Sequence, residues 1–262
     1  MNKPEMTVPA GRFAPSPTGR MHLGNIMTAL VSWLSVKKAG GRWVLRIEDL
    51  DPQRSKHEWS RLIEEDLDRL GLTWDEGGLD DMGPHGPYSQ SRRDEVYEEA
   101  LQRLKSTGYT YPCVCTRADI MATQVPHQSD GRVIYRGTCR PAAMPFSGNN
   151  RLNDRPHATR LFVPDEEITF TDRVYGTRHS NLAHDCGDFI LRRADGAWAY
   201  QLAVVVDDAS MGVTEVVRGN DLLLSTAQQL YLYRLLGLKA PDFAHVPLVC
   251  NSCLLYTSDA AD

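Results

Sequence analysis

Apolar positions recur along this chain in blocks that predict alternating strands and helices. The segment from Thr7 to Phe13 is short and apolar in character and runs into Ala14-Pro15-Ser16-Pro17-Thr18-Gly19, which predicts a strand entering a rigid loop. From Leu23 onward, Ile26, Leu30 and Leu34 follow one another at four-residue steps, with Ala29 and Trp33 beside them, until Gly40-Gly41 breaks the pattern. That spacing predicts a helix. Trp43-Val44-Leu45-Arg46-Ile47 then has the composition of a central parallel strand and delivers Glu48-Asp49-Leu50-Asp51 at its carboxyl end. Together these three elements make a βαβ unit.

A second amphipathic helix is predicted by Trp59, Leu62, Ile63, Leu67 and Leu70, starting after Asp51-Pro52 and stopping at Gly71, and a third covers Arg92 to Thr107. From Tyr109 to Cys186 periodicity is weak and Pro, Gly and Asn are frequent, which predicts an inserted subdomain. Phe189-Ile190-Leu191 and Trp198-Ala199-Tyr200 flank Asp195-Gly196 as a hairpin would. Ala203-Val204-Val205-Val206 is again nearly continuous in apolar residues and predicts a strand ending at Asp207-Asp208, while Leu230, Leu235 and Leu236 belong to a later helix. The expected division is therefore 7–108 and 187–249 as two halves of one α/β domain with a parallel sheet, 109–186 as the insertion, and 250–262 as a tail.

With 262 residues, 42% hydrophobic and 24% charged, the chain can bury one sizeable core without disulfides. No run approaches the roughly 20 apolar residues that cross a bilayer, and Met1-Asn2-Lys3-Pro4-Glu5 lacks the apolar core of a signal peptide, so a cytoplasmic protein with no membrane contact is expected. A net charge of −5 argues against a protein that coats nucleic acid non-specifically, though a local basic face is compatible with it. Cys113 and Cys115, one residue apart, suit a metal site better than a disulfide.

Candidate chemistry gathers at the predicted strand ends. His22-Leu23-Gly24-Asn25 stands where the first loop enters the first helix, a place where backbone N–H groups and the helix dipole attract anions. His22 could instead simply cap that helix. Arg12, Glu48 and Arg218, the last following Val216-Val217, lie at three other strand ends. An amino acid with a carboxylate side chain needs a guanidinium for that group and a carboxylate for its ammonium, and these three residues supply both. Each could also belong to a structural ion pair.

Taken together, Arg12-Phe-Ala-Pro-Ser-Pro-Thr-Gly19, His22-Leu-Gly-Asn25, Arg46-Ile-Glu-Asp-Leu-Asp-Pro52, Gln90-Ser91-Arg92 and Ala203-Val-Val-Val-Asp-Asp208 through Val217-Arg-Gly219 resemble the catalytic domain of glutamyl-tRNA synthetases. The resemblance runs from Gly11 to Val249 and implies a Rossmann-like class I synthetase domain. His-Leu-Gly-Asn, Ile-Glu-Asp-Leu-Asp-Pro and Gly219-Asn-Asp-Leu-Leu223 are most similar to the short branch, the glutamyl-Q tRNA(Asp) synthetases. It implies that Arg12, Ala14, Ser16, Glu48, Tyr200 and Arg218 contact L-glutamate and that His22, Gly24 and Asn25 face ATP, with Mg2+ accompanying the nucleotide. The implied reaction makes glutamyl-adenylate and transfers glutamate to queuosine in the anticodon of tRNA(Asp); a fragment of an enzyme charging tRNA(Glu) and an inactive zinc-bearing RNA-binding module are the rival readings. A monomer is the family expectation.

The same resemblance implies one structural zinc held by Cys113, Cys115, Tyr135 and Cys139. Judged on ligand chemistry alone, His127 competes with Tyr135 for the fourth place, and three free cysteines in a metal-free subdomain is a further alternative. Cys186 is expected to be a small buried residue without a chemical role. Past Val249 a Lys-Leu-Ser-Lys type motif is expected and absent, and Cys250 to Asp262 is expected to be foreign to the gene.

Overall fold

The computed structural model describes residues 8–122, 134–145 and 155–249. In chain order the elements are β1 (Ala10–Phe13), α1 (Leu23–Lys38), β2 (Arg42–Leu45), α2 (His57–Arg69), β3 (Glu76–Gly77), α3 (Asp94–Ser106), β4 (Thr110–Cys113) and α4 (Arg117–Ala122). They continue with β5 (Ala158–Leu161), β6 (Glu167–Asp172), β7 (Gly176–Asn181), α5 (Leu182–Asp185), β8 (Phe189–Arg192), α6 (Tyr200–Ser210), β9 (Glu215–Gly219), α7 (Leu223–Leu236) and β10 (Asp242–Val246).

Seven strands form one sheet in the order β3-β2-β1-β9-β10-β6-β7, parallel throughout except for the β6–β7 hairpin at its edge. From β1 the chain moves outward to β2 on one side, and its other neighbour, β9, arrives from more than 200 residues later, as the bond from Ala10 N–H to Thr214 Oγ1 records with its separation of 204 positions. The gap between β1 and β9 is thus the point where strand order reverses, and open α/β sheets bind ligands outside the carboxyl ends of their strands there. A smaller antiparallel sheet, β4-β5-β8, stands apart from the first. Residues 109–186 contribute strands to both sheets, and β8, beyond them, belongs to the small one.

The expected elements appear with shifted ends. Trp43 to Leu45 lie in β2, and Ile47 makes only an isolated bridge to Ser89. The second helix starts at His57 rather than directly after Pro52, and the third runs from Asp94 to Ser106. Only one bridge, Arg192 to Trp198, forms where a full hairpin was expected, because Tyr200 already opens α6. On α1 the four-residue stripe is not the buried face: Leu30 and Leu34 are 42% and 51% exposed, whereas Ala29, Ser32 and Val36 are buried. Small side chains there let the helix lie close on β1, with Ser32 Oγ donating to the Arg12 carbonyl at 3.0 Å and accepting from Trp43 Nε1 at 2.9 Å.

The largest departure is Ala203–Val206, which is helix rather than strand: α6 runs from Tyr200 to Ser210. Leu202 through Asp208 are all buried, so this helix is enclosed on every side and its apolar run shows no periodicity to distinguish it from a central strand. Leu202, Ala203, Val205 and Val206 join the main core with Leu101, Leu104, Leu232 and Leu236 of α3 and α7.

Gly77 illustrates how tightly the sheet edge is built. Its φ is +92°, and a Cβ there would press into the Leu45 carbonyl of the neighbouring strand, which is backbone and cannot step aside. Gly77→Ala is therefore expected to cost roughly 2–4 kcal/mol through combined backbone strain and overlap, read as a lower urea midpoint with an unchanged slope. A midpoint equal to the parent's would mean the β2–β3 edge relaxes freely.

Candidate active site

Four strand ends deliver the site. β1 carries Arg12 into the Ala14–Ser16 loop, β2 runs on to Glu48, β9 presents Arg218 and β10 presents His245. They surround a cavity of about 400 Å³. Arg12, Ala14, Ser16, Glu48, Tyr200 and Arg218 line it, and so do His22, Gly24 and Asn25. Every residue singled out from the sequence for the amino acid and the nucleotide is thus on one wall system, although they span from position 12 to position 218.

The charges beneath this cavity form a buried relay. Arg46, wholly buried, places Nη2 at 3.0 Å from Glu48 Oε1 and Nη1 at 2.6 Å from Asp208 Oδ1. Asp208 also lies 3.4 Å from Arg12 Nε, and Arg12 Nη1 donates to the Val217 carbonyl at 3.2 Å. Asp207, the next residue of α6, accepts from Arg93 Nε at 2.6 Å, Gln90 Nε2 at 2.7 Å and Tyr97 Oη at 2.9 Å. Burial works against the charge on Asp208, but Arg46 and Arg12 outweigh it and hold its carboxyl below the usual range. At Glu48 burial prevails over the same two arginines and pushes the carboxyl up, so an incoming ammonium would find a carboxylate short of compensation.

Arg218 is arranged differently. Its Nε donates to His245 Nε2 at 3.0 Å, Nη1 to Gln229 Oε1 at 2.8 Å and Nη2 to Thr226 Oγ1 at 2.8 Å, and the guanidinium lies over the Phe243 ring at 5.2 Å. Among the described residues no carboxylate comes within ion-pair distance of it. Burial, reinforced by the nearby Arg12, pushes its pKa down, the mark of a cation still lacking its counter-charge. A ligand carboxylate in the cavity would supply one.

His22 does cap α1. Its Nδ1 accepts from the N–H groups of Gly24 at 3.1 Å and Asn25 at 3.4 Å, while Asn25 Oδ1 accepts from the His22 N–H at 3.2 Å. The N–H groups of Gly24 and Asn25, read from the sequence as open to an anion, are therefore engaged by a capping box. The cap also sets the imidazole tautomer, leaving the hydrogen on Nε2 in a side chain that lines the cavity.

Sequence reasoning missed several participants. Arg46, Asp207 and Asp208 look like ordinary charges at strand exits until α6 is known to be a helix that turns both aspartates inward. Thr226, Gln229 and His245 hold Arg218, and the Phe-Ala-His-Val strand 243–246 could have been recognised as central by its apolar run. Tyr233 is buried beside Arg12, Asp208 and Arg218, and its hydroxyl has no partner among the described residues. Asp221, Leu222 and Leu248 also line the cavity. A second cavity of about 290 Å³ shares Ser16, Glu48 and Tyr200 with the first and is walled beyond them by Leu50, Asp51 and Trp198.

The cysteine cluster lies apart, beside the small sheet. Cys113, Cys115 and Cys139 bring their sulfurs within 4.8 Å of one another. Cys115 and Cys139 Sγ are 3.5 Å apart, and Tyr135 Oη lies 3.4 Å from Cys113 Sγ and 3.8 Å from Cys115 Sγ. A tetrahedron of sulfurs at zinc–thiolate distance has edges of about 3.8 Å, so the spacing of the three sulfurs suits a metal ion, with the Tyr135 hydroxyl beside them. His127 lies outside the described residues. Cys186 is half-buried rather than buried, packs at the margin of the main core and has its thiol pushed up to about 12 by burial. A thiol so reluctant to ionise makes a poor nucleophile.

Residues 10–256 match the family model of the catalytic domain of class I tRNA synthetases for E and Q, past Val249 where the resemblance read from motifs stops. The glutamyl-Q tRNA(Asp) synthetase of Symbiobacterium thermophilum is 50% identical over 242 residues, covering 91% of this chain and 74% of that protein. That of Thiobacillus denitrificans is 47% identical over 241 residues, covering 92% and 74%. Among solved structures, the glutamate-tRNA synthetase from Elizabethkingia anophelis superposes with a TM-score of 0.83 at 31% identity, over 96% of this chain and 52% of that one. A glutamate tRNA ligase from Elizabethkingia meningosepticum, solved with its amino acid, gives 0.80 at 32% identity, over 93% and 50%. The chain thus spans about three quarters of its curated relatives and about half of the solved synthetases. No helix among the described residues is long and apolar enough to cross a membrane. On the family-model match, the identity to these relatives and the fold, the chain belongs to the class I tRNA synthetases of the glutamyl and glutaminyl type, in the branch of the glutamyl-Q tRNA(Asp) synthetases.

Proposed function

We propose that this chain activates L-glutamate with ATP and transfers it to queuosine in the anticodon of tRNA(Asp), in the cytoplasm. The observation that carries the reading is Arg218, a buried cation held only by neutral acceptors and the Phe243 ring, on the same cavity wall as Arg12 and opposite in charge to Glu48. A glutamate placed there gives its side-chain carboxylate to Arg218 and Arg12 and its ammonium to Glu48, with Ala14, Ser16 and Tyr200 around it. Its α-carboxylate then points to the His22, Gly24 and Asn25 end, where ATP with Mg2+ would lie and where Leu222 and Leu248 offer apolar walls to a nucleoside.

In that arrangement a glutamate α-carboxylate oxygen attacks the α-phosphorus of ATP, the bond to the bridging oxygen breaks, and pyrophosphate leaves. The acceptor hydroxyl next attacks the activated carbonyl, AMP departs with the bonding electrons, and the hydroxyl proton leaves to the AMP phosphate or to water. No protein nucleophile takes part. Catalysis rests on holding both substrates in line, which in favourable systems is worth about 7–11 kcal/mol. The neighbouring cavity, sharing Ser16, Glu48 and Tyr200, gives the acceptor a way to the carbonyl that the nucleotide does not occupy.

Radiolabelled glutamate with ATP and three acceptors tests this: queuosine-containing tRNA(Asp), unmodified tRNA(Asp) and tRNA(Glu). Label in the first alone is expected. Label in tRNA(Glu) would assign the chain to the synthetases that charge a 3′ end.

The sulfurs and the phenol of Cys113, Cys115, Tyr135 and Cys139 would hold one structural zinc, which when bound ties β4 to the Tyr135–Cys139 loop. Metal analysis of the purified chain is expected to give one zinc per molecule, and Tyr135→Phe is expected to weaken retention against a chelator about tenfold or more. Full retention in the phenylalanine variant would pass the fourth place to another ligand, His127 first among them.

A further inference from the structure

Each guanidinium nitrogen of Arg218 donates to a neutral group, and one of these groups can accept only in one protonation state. An imidazole accepts at the nitrogen that carries no hydrogen, so His245 must be neutral with its hydrogen on Nδ1 to receive Arg218 Nε–H at Nε2. Asp172 imposes that state. His245 Nδ1 donates to Asp172 Oδ2 at 2.6 Å, both side chains being fully buried. The other oxygen of Asp172, Oδ1, accepts from the N–H groups of Val174 and Tyr175, each at 2.9 Å, and of His245 at 3.4 Å. Burial and the Arg218 charge push the His245 pKa down to about 4 in spite of Asp172, so the imidazole does not become a second cation.

Asp172 ends β6, on the hairpin at the sheet edge, whereas Arg218 lies one residue before the end of β9; β10, carrying His245, lies between them. A neutral ring therefore separates the carboxylate of one strand from the guanidinium of another. Were Asp172 to touch Arg218 directly, the two charges would cancel as those of Arg12 and Asp208 do. We propose that Asp172 and His245 are positioning residues that hold Arg218 through neutral acceptors, keep its charge uncompensated, and so make the site select a side-chain carboxylate over the matching carboxamide. A carboxamide gains little from an uncompensated cation and brings an NH2 group against the guanidinium donors. The inference rests on the glutamate reading for its ligand but not for the hold on Arg218.

Asp172→Asn tests it with almost no change in shape. The backbone N–H groups at Oδ1 keep the amide oxygen there, so the NH2 group faces His245 Nδ1. A donor at that point drives the imidazole hydrogen to Nε2, against Arg218 Nε–H. NMR of the full chain is expected to show the His245 hydrogen on Nδ1 in the wild type, with coupling across the hydrogen bond to Arg218 Nε, and on Nε2 in the variant with that coupling lost. Calorimetry is expected to show L-glutamate binding weakened about tenfold or more, the preference for glutamate over glutamine reduced by a similar factor, and ATP binding unchanged. His245→Gln, which retains a donor for Asp172 and an acceptor for Arg218, is expected to stay within about threefold of wild type for glutamate.

A wild-type His245 with its hydrogen on Nε2 overturns the proposal even if the asparagine variant does not fold. So does a folded asparagine variant that binds glutamate, and rejects glutamine, as the wild type does. A wild type that shows the Nδ1–H tautomer yet binds no glutamate overturns the substrate assignment and the selectivity drawn from it, while supporting the hold on Arg218.

Discussion

Arg218→Ala is expected to weaken L-glutamate binding roughly 30-fold to several thousand-fold, because truncating one partner of a buried charge pair costs about 2–5 kcal/mol. The expectation is sharper than for an ordinary surface arginine. Arg218 is 3% exposed and its three hydrogen bonds go to neutral groups, so the ligand's carboxylate is its only strong counter-charge among the groups described. ATP binding, proposed for the residues around His22 and Asn25, should be unaffected. Calorimetric titration of the wild type and the alanine variant with glutamate, then with ATP, separates the two effects. Glutamate binding within about threefold of wild type would remove Arg218 from the amino-acid site.

Arg46→Met is expected to act on the fold instead. Arg46 is fully buried and joins Glu48, Asp208 and, at 3.7 Å, Asp207, so methionine fills much of the space but leaves three carboxylates short of one cation. Breaking a buried pair from one side costs about 3–5 kcal/mol, which for a chain of this size lowers Tm by roughly 6–20 °C. Arg46→Lys, which keeps the charge but not the fork that bridges Glu48 and Asp208, should fall between. Thermal unfolding of the three proteins measures it. A loss below about 3 °C would mean that Arg93 and Arg12 already compensate the aspartates.

The same two residues show what the sequence disclosed. Arg218 was legible because it follows an apolar strand in a pattern that places ligands, and Arg12 and Glu48 were legible for the same reason, whereas Tyr200, which opens α6, was reached only through the family resemblance. Arg46 was not legible. Its neighbours in the chain are a strand and an acidic exit, and its role depends on Asp207 and Asp208, which lie on α6, an element whose apolar run reads as a strand when it is a helix enclosed on all sides. His245 and Asp172 were hidden for a related reason: their partnership crosses between strands 73 positions apart, and no local pattern signals a bond of that kind. His22 was read in both its senses, and the capping geometry is the part that local sequence determines. The stripe on α1 misled because four-residue spacing shows that a helix has an apolar face without showing which face the sheet will take.

The pairing of β1 with β9 has a consequence for how the protein is made. A ribosome adding about 5–20 residues per second needs about 10–40 seconds to cover the 204 positions between Ala10 and Thr214. Throughout that interval β1 has β2 on one side and an unfilled edge on the other, at the centre of the future sheet. Such an edge is a template for any passing strand, and contacts this distant in sequence close slowly. The nascent chain therefore carries an open edge at its centre until Glu215–Gly219 has emerged and the two sides of the cavity meet.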